Sequence, residues 1–353
     1  NFIFKLFIMA ENFVRQQIVT DYLVKYALLA ILAEKNHLKQ KKLNMEILGI
    51  GNAIVDVLCK VDDKFISQNN LAKGNMKLIF DKNEFNKLLS NLKLEKTISG
   101  ESVANSIVGL SQLGNKVGFI GKVSDDDFGE KYETGLKNED VEYIYSKKKE
   151  ELPTGSCLIL ITPDSERTMC TFLGTAGKIN ENDINNIAVK RSKITFLEGY
   201  LWDEGEPKKA FDKAINNSNK VGMSLSDKFC VDRHKPHFLD LVKNKLDITF
   251  ANEEEVMSLI NAKNFDEVID FGKQIKKLLI ITRGAKGAVS INGNEVCEVG
   301  VKENLNIIDL TGAGDLFAAG YLHGYINSFS QQDCLNKGTE MSSKIIQKIG
   351  ARI

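Results

Sequence analysis

Short runs rich in β-branched and aliphatic residues alternate with longer stretches carrying apolar residues at helical spacing, and this alternation restricts the fold more than any other feature of the chain. Strand-like runs fall at 46–50, 117–121, 194–198, 221–225, 246–250, 278–282 and 288–291. Helical spacing occupies 104–113, 128–137, 206–217, 253–260, 265–275, 314–326 and 334–349. Strands separated by helices pair in parallel through crossovers, so the pattern predicts an α/β fold. Its sheet is mostly parallel, with helices on both faces and ligand sites outside the carboxyl ends of the strands. Two stretches break the rhythm: 57–71 and 156–173 read as extended segments, with turns at Asp62-Asp63 and Thr162-Pro163-Asp164-Ser165. They predict a small β-structure apart from the main sheet.

The first 44 residues differ in character, with a Phe/Ile-rich start, an amphipathic stretch through 26–33 and a basic tail at Lys39 to Lys42. Their apolar runs are shorter than the ~20 residues of a membrane span. Two readings fit: a helix lying on a membrane surface, or an extension that is not native to the protein, since the sequence opens with Asn rather than Met. Met45 is expected to open the functional domain, 45–353, which carries the two irregular segments within it.

Lys plus Arg and Asp plus Glu both total 47, so the chain has no net charge with which to attract nucleic acid or anionic lipid. A small molecule is the expected partner, with no nucleic acid and no membrane, and a monomer or a homodimer as the assembly. Six scattered cysteines without a Cys-x-x-Cys pair fit reduced thiols and a cytoplasmic location. Cys230, His234 and His237 lie close together, but they lack a fourth ligand and a zinc-like spacing; the stretch 226–234 reads as a loop.

The densest chemistry runs from Ile307 to Gly320, where an apolar run ends in Thr311-Gly-Ala-Gly314 and enters a small-residue helix. Backbone N–H groups of Gly312, Ala313 and Gly314 can converge there on an anion. Asp315 adds a carboxylate at the same spot. It either stabilises the helix dipole or orients a hydroxyl and accepts its proton. A dinucleotide fingerprint fails because Phe317 stands where the third glycine belongs, and no Walker loop is present.

The run Asp309-Leu-Thr-Gly-Ala-Gly-Asp315 is similar to the C-terminal signature of the ribokinase-like (PfkB) carbohydrate and nucleoside kinases. Gly49-Ile-Gly-Asn-Ala-Ile-Val-Asp56 resembles that family's opening strand, and Ser102-Val-Ala-Asn105 through Leu113-Gly114 its N-terminal signature helix. Asn252-Glu-Glu-Glu255 resembles the N-x-x-E motif, and Thr282-Arg-Gly-Ala-Lys-Gly287 the nucleotide loop. Gly51-Asn52, Arg167-Thr-Met169 and Leu173-Gly174 look most like bacterial adenosine kinases and related sugar kinases. The resemblance implies a three-layer, doubly wound, ribokinase-like fold with a small β-lid near 57–71 and 156–173. It implies an ATP-dependent phosphotransferase acting on a primary hydroxyl of a nucleoside, adenosine first, or of a sugar such as ribose or fructose. A catalytically inactive, ligand-binding member of the fold is the other outcome.

Carried over by position, the resemblance makes Asp315 the base, Gly312, Ala313 and Gly314 the anion hole, and Arg167 a phosphate contact. Asp56, Asn52, Gly100 and Asn105 would hold the acceptor. Asn252, Thr282, Gly284, Gly287 and Thr311 would serve ATP, and Glu255 would organise Mg²⁺ through water. By the same analogy a monovalent cation, K⁺, would sit near the Asp309 loop. One departure stands out: the family has two glycines before the signature helix, and here Ser99-Gly100-Glu101 places Glu at the second. A bulky acid there would block or reshape the acceptor pocket. Tyr200 and Trp202 either stack on a purine or close the core, and His323 reads as packed or exposed.

Overall fold

The computed structural model describes residues 45–353 except Ser165 and Glu204, together with Lys25; other expectations placed on residues 1–44 lie outside the described residues. In chain order the strands are β1 (Ile47–Ile50), β2 (Ile54–Lys60), β3 (Met76–Leu78), β4 (Lys96–Gly100), β5 (Val117–Ile120), β6 (Glu142–Tyr143), β7 (Gly155–Ile161), β8 (Arg167–Phe172), β9 (Ile194–Glu198), β10 (Val221–Ser224), β11 (Ile248–Asn252), β12 (Leu278–Thr282), β13 (Ala288–Asn292) and β14 (Glu295–Val299).

The main sheet runs β14-β13-β12-β11-β10-β9-β1-β5-β6. It is parallel from β12 to β6, and β13 and β14 add an antiparallel edge. Successive side chains of a strand point to opposite faces. In β12, Leu278 and Ile280 therefore enter one core, and Leu279 and Ile281 the other. A strand apolar on both sides must be covered on both. Helices Ser102–Gln112, Ala313–Ile326 and Gln331–Ile345 cover the first face. Helices Glu206–Asn217, Lys228–Asp240, Glu253–Ile260 and Phe265–Ile275 cover the second. The result is a three-layer α/β fold.

A second sheet, β3-β8-β7-β2-β4, carries the segments that broke the rhythm. β7 and β8 form the hairpin read at 156–173. The other segment is only half extended. After β2, Asp62 accepts the Phe65 N–H at 2.7 Å and opens helix Asp63–Gln68, so the expected turn is a helix cap. The stretch 226–234 is likewise no loop. Asp227 accepts the Cys230 N–H at 2.6 Å and starts helix Lys228–Asp240, whose helical pattern is broken by non-helical backbone at His234 and by Pro236.

Candidate active site

Parallel strands deliver their carboxyl ends to one edge, and the order in which the chain adds strands reverses between β1 and β9, the kind of switch point at which α/β sheets bind ligands. Gly51 and Asn52 follow β1, and the buried Glu198 ends β9. Glu198 Oε1 accepts the Asn52 N–H at 3.0 Å, and Oε2 accepts the Val103 N–H at 3.0 Å. The second bond caps helix Ser102–Gln112, for which the N-cap residue Glu101 supplies no side-chain bond. Burial pushes the Glu198 carboxyl up to about 7, against the two N–H donors.

The first turn of helix Ala313–Ile326 meets the first turn of helix Ser102–Gln112 at this edge. Ser102 Oγ donates to Asp315 Oδ1 at 2.6 Å, Asn105 Nδ2 donates to Oδ2 at 3.0 Å, and Ser106 Oγ donates to the Asp315 carbonyl at 2.9 Å. Burial raises the Asp315 carboxyl above its ordinary value while Ser102 and Asn105 oppose the rise. A carboxylate holding one donor per oxygen keeps lone pairs for a further hydroxyl.

Gly312, at φ 77°, begins the second helix, and a Cβ there would lie 2.7 Å from Ala351 Cα. Among the described residues the amides of Gly312, Gly314 and Asp315 make no backbone bond, whereas the Ala313 N–H donates to the Leu310 carbonyl at 3.2 Å. The expected three-amide cradle thus gives up Ala313 to the turn.

Two cavities adjoin the neighbours of Asp315, one at Asn105 and one at Ala313 and Gly314. One, of about 600 Å³, is lined by Asp56, Asn105, Arg167, Thr311 and Arg352 among others. Asp56 comes from β2, and a Cβ on Gly100 would lie 2.5 Å from its Oδ2, so that glycine lets the two strands close on the carboxyl. Burial pushes Asp56 up to about 7, with Arg352 and Arg167 opposing. Asn52 is buried, and its Oδ1 has no partner. The other cavity, of about 580 Å³, is lined by Thr282, Gly284, Gly287, Gly314 and Phe317 among others.

The remaining expected residues divide. Arg167 Nη1 pairs with Asp309 Oδ2 at 2.9 Å. The same oxygen accepts the Gly350 N–H at 2.8 Å, and Oδ1 accepts the Thr311 N–H and hydroxyl at 3.0 and 2.7 Å. Burial would raise Asp309, yet these donors hold it below its usual range. Thr311 lines the Asp56 cavity instead of the glycine-lined one. Asn252 and Glu255 form a closed capping box: Asn252 N–H donates to Oε2 at 3.0 Å, Nδ2 to Oε1 at 2.5 Å, and Glu255 N–H to Asn252 Oδ1 at 2.8 Å. Glu255 is buried and pushed up to about 7 by that burial, so it is no solvent-facing helix acid. Its neighbour Glu253 pairs instead with Arg283 of the glycine loop at 3.0 Å.

Trp202 is buried against His234, ring centroids 4.6 Å apart, and closes the core, while Tyr200 stays partly exposed with its hydroxyl on Asp227 at 3.0 Å. Cys230 donates to the Gly199 carbonyl at 3.2 Å, and among the described residues no group of three or more His, Cys, Asp or Glu is arranged to hold a metal. His323 bonds Asn115 at 2.7 Å, in the helix beyond the site. Sequence reasoning missed Glu198 and Arg352. Glu198 was discernible as the acid ending an apolar strand. Arg352, whose Nε donates to Asn105 Oδ1 at 3.3 Å, carries no local signal.

Similar proteins share this architecture. The structure matches adenosine kinase from Sinorhizobium meliloti with a TM-score of 0.79 and 34% identity, covering 88% of this chain and 96% of that one. Adenosine kinase 2 of Arabidopsis thaliana is 25% identical, over 86% of this chain and 94% of its own length. The 5-dehydro-2-deoxygluconokinase of Geobacillus kaustophilus is 23% identical over 78% and 87%. Residues 75–353, which take in Asp315 and all the motifs from β3 onward, match the pfkB family carbohydrate kinases. The chain therefore belongs to the pfkB carbohydrate kinase family.

Proposed function

We propose that the chain transfers the γ-phosphoryl group of ATP to a primary hydroxyl of a nucleoside, with adenosine as first acceptor. The observation that carries this reading is Asp315, held by donors from the facing helix and set between Asn105 of one cavity and Gly314 of the other. The Asp56 cavity takes the acceptor, whose adjacent hydroxyls donate to the Asp56 carboxyl and to Asn52 Oδ1. The glycine-lined cavity takes the nucleotide. Asp315 orients the attacking hydroxyl and accepts its proton, and the free amides of Gly312 and Gly314 hold the charge of the transferred group. The second sheet, which carries Asp56 and Arg167, serves as the lid that excludes water.

Asn252 and Glu255 fit a Mg²⁺ held through water, since Asn252 is exposed and Glu255 retains lone pairs beside it. When bound, that ion would neutralise phosphate charge. The Asp309 carboxylate does not fit a monovalent cation, because Thr311, Gly350 and Arg167 already fill its lone-pair sites. All six cysteines are free thiols, which supports a reducing, cytoplasmic setting. A sugar kinase is the second reading, favoured by the gluconokinase relatives. The test is ATP consumption with adenosine, other nucleosides, ribose and fructose. Adenosine should dominate, and Asp315→Ala should lower its turnover about 10² to 10⁴-fold. Full turnover in that variant would refute the assignment.

A further inference from the structure

The side-chain amide of Asn105 bridges two charged groups. Its Nδ2 donates to Asp315 Oδ2 at 3.0 Å, and its Oδ1 accepts from Arg352 Nε at 3.3 Å. The two ends of an amide are alike in shape, so its partners decide which way it faces. A guanidinium only donates, and an ionised carboxylate only accepts. Turned over, the Asn105 amide would set its NH₂ against Arg352 and its carbonyl against Asp315, and both contacts would become repulsive. The cation on the carbonyl also polarises the amide and strengthens the N–H that its other end gives.

Arg352 is fixed in place from both sides. The Gly350 N–H donates to Asp309 Oδ2 at 2.8 Å, and Ala351 lies against Gly312. On the other side the Ile353 carbonyl accepts from Gln112 Nε2 at 3.2 Å, at the far end of the helix whose beginning carries Asn105. Arg167 and Arg283 are each paired with a carboxylate, whereas among the described residues Asp56 and Glu139 attract Arg352 only from beyond ion-pair distance. Its Nη2 is buried without a hydrogen-bond partner. A guanidinium keeps its proton inside a protein even where burial pushes its pKa down, so a fixed charge stands at the wall of the Asp56 cavity with a neutral amide as its hydrogen-bond partner. We propose that Arg352 is a positioning residue for phosphoryl transfer: its guanidinium holds the Asn105 amide in the orientation that donates to Asp315, and so aligns the carboxylate that takes the acceptor's proton. This goes beyond the kinase reading above and rests on it.

The experiment measures kcat in wild type, Arg352→Met, Asn105→Ala and the double variant, with adenosine, or with ribose or fructose if the panel above prefers them. Arg352→Met should lower kcat about tenfold, since misaligning a reacting group acts on this scale. In the Asn105→Ala background, where no amide is left to orient, the same substitution should cost less than about twofold. Fold losses that multiply in the double variant overturn the proposal, as does an unchanged kcat in Arg352→Met. The side-chain amide NMR signals of Asn105, identified by their loss in Asn105→Ala, read the hold directly. They should shift and exchange faster with solvent in Arg352→Met. Arg352→Lys keeps a cation but not the planar fork, and should bring signals and kcat partway back. Should Arg352→Met fail to fold, Arg352→Lys carries the same cycle and the same comparison, with smaller changes. If wild type consumes no ATP with any acceptor, the kinase reading fails, and the Asn105 signals still decide whether Arg352 holds the amide: shifted, they support the hold, and unchanged, they refute it.

Discussion

Glu198 joins two segments at the carboxyl edge of the main sheet. It is a buried carboxylate whose oxygens are consumed by the N–H groups of Asn52 and Val103, one on the turn after β1 and one in the first turn of the signature helix. Removing it leaves both donors buried without partners. Glu198→Ala is therefore expected to cost about 2 to 4 kcal/mol in urea unfolding. Glu198→Gln, which retains one acceptor, should cost less. Glu101 shows the opposite economy. Its conformation, at φ 85° and ψ 154°, carries a strain of about 1 to 3 kcal/mol, so Glu101→Gly is expected to raise the unfolding midpoint. Of these residues, Asp315 and Asp56 were legible because each is the acid that ends a motif containing two glycines. Glu198 and Arg352 were not, because their roles depend on what faces them across the crevice.

At the scale of elements, the site is the junction of two helix N-termini, and its geometry depends on how closely the helices approach. Gly109 sets that approach: a Cβ there would lie 2.7 Å from Leu316 Cδ1, one residue past Asp315. Gly109→Val should overpack the contact and cost about 1 to 3 kcal/mol in denaturant. It should also lower kcat, because Ser102 and Asn105 would no longer meet Asp315 at hydrogen-bond distance. The two helices were visible as periodic runs, and their N-terminal residues as motifs. Their pairing was not, since residues 102–106 and 315 are brought together only by the sheet. Elements with weak periodicity also escaped: β4, with the polar sequence Lys96-Thr-Ile-Ser-Gly100, and the helix kinked at His234.

For the whole molecule, the concentration of acids at one edge of the sheet ties stability to pH. Burial pushes Asp56, Glu198 and Glu255 each up to about 7, so the folded state holds protons that the unfolded chain releases near pH 4. Their contribution is fully present below about pH 4 and is lost as pH rises through about 7. Asp309, Glu253 and Glu340 are lowered by their partners and act in the reverse sense, losing their contribution as pH falls below the ordinary carboxylate range. Urea midpoints should therefore be highest near pH 5 and decline by pH 8, and Glu255→Gln should make that decline shallower. An equal or steeper decline in the variant would contradict the burial argument. The sequence by itself determined the layered α/β fold and the family, because strand and helix periodicity and glycine-acid spacing are local properties of the chain. Only the tertiary structure decided which carboxyls share one crevice, which amides remain free and which guanidinium is already paired. Those are consequences of burial and approach between segments far apart in sequence, on which periodicity is silent.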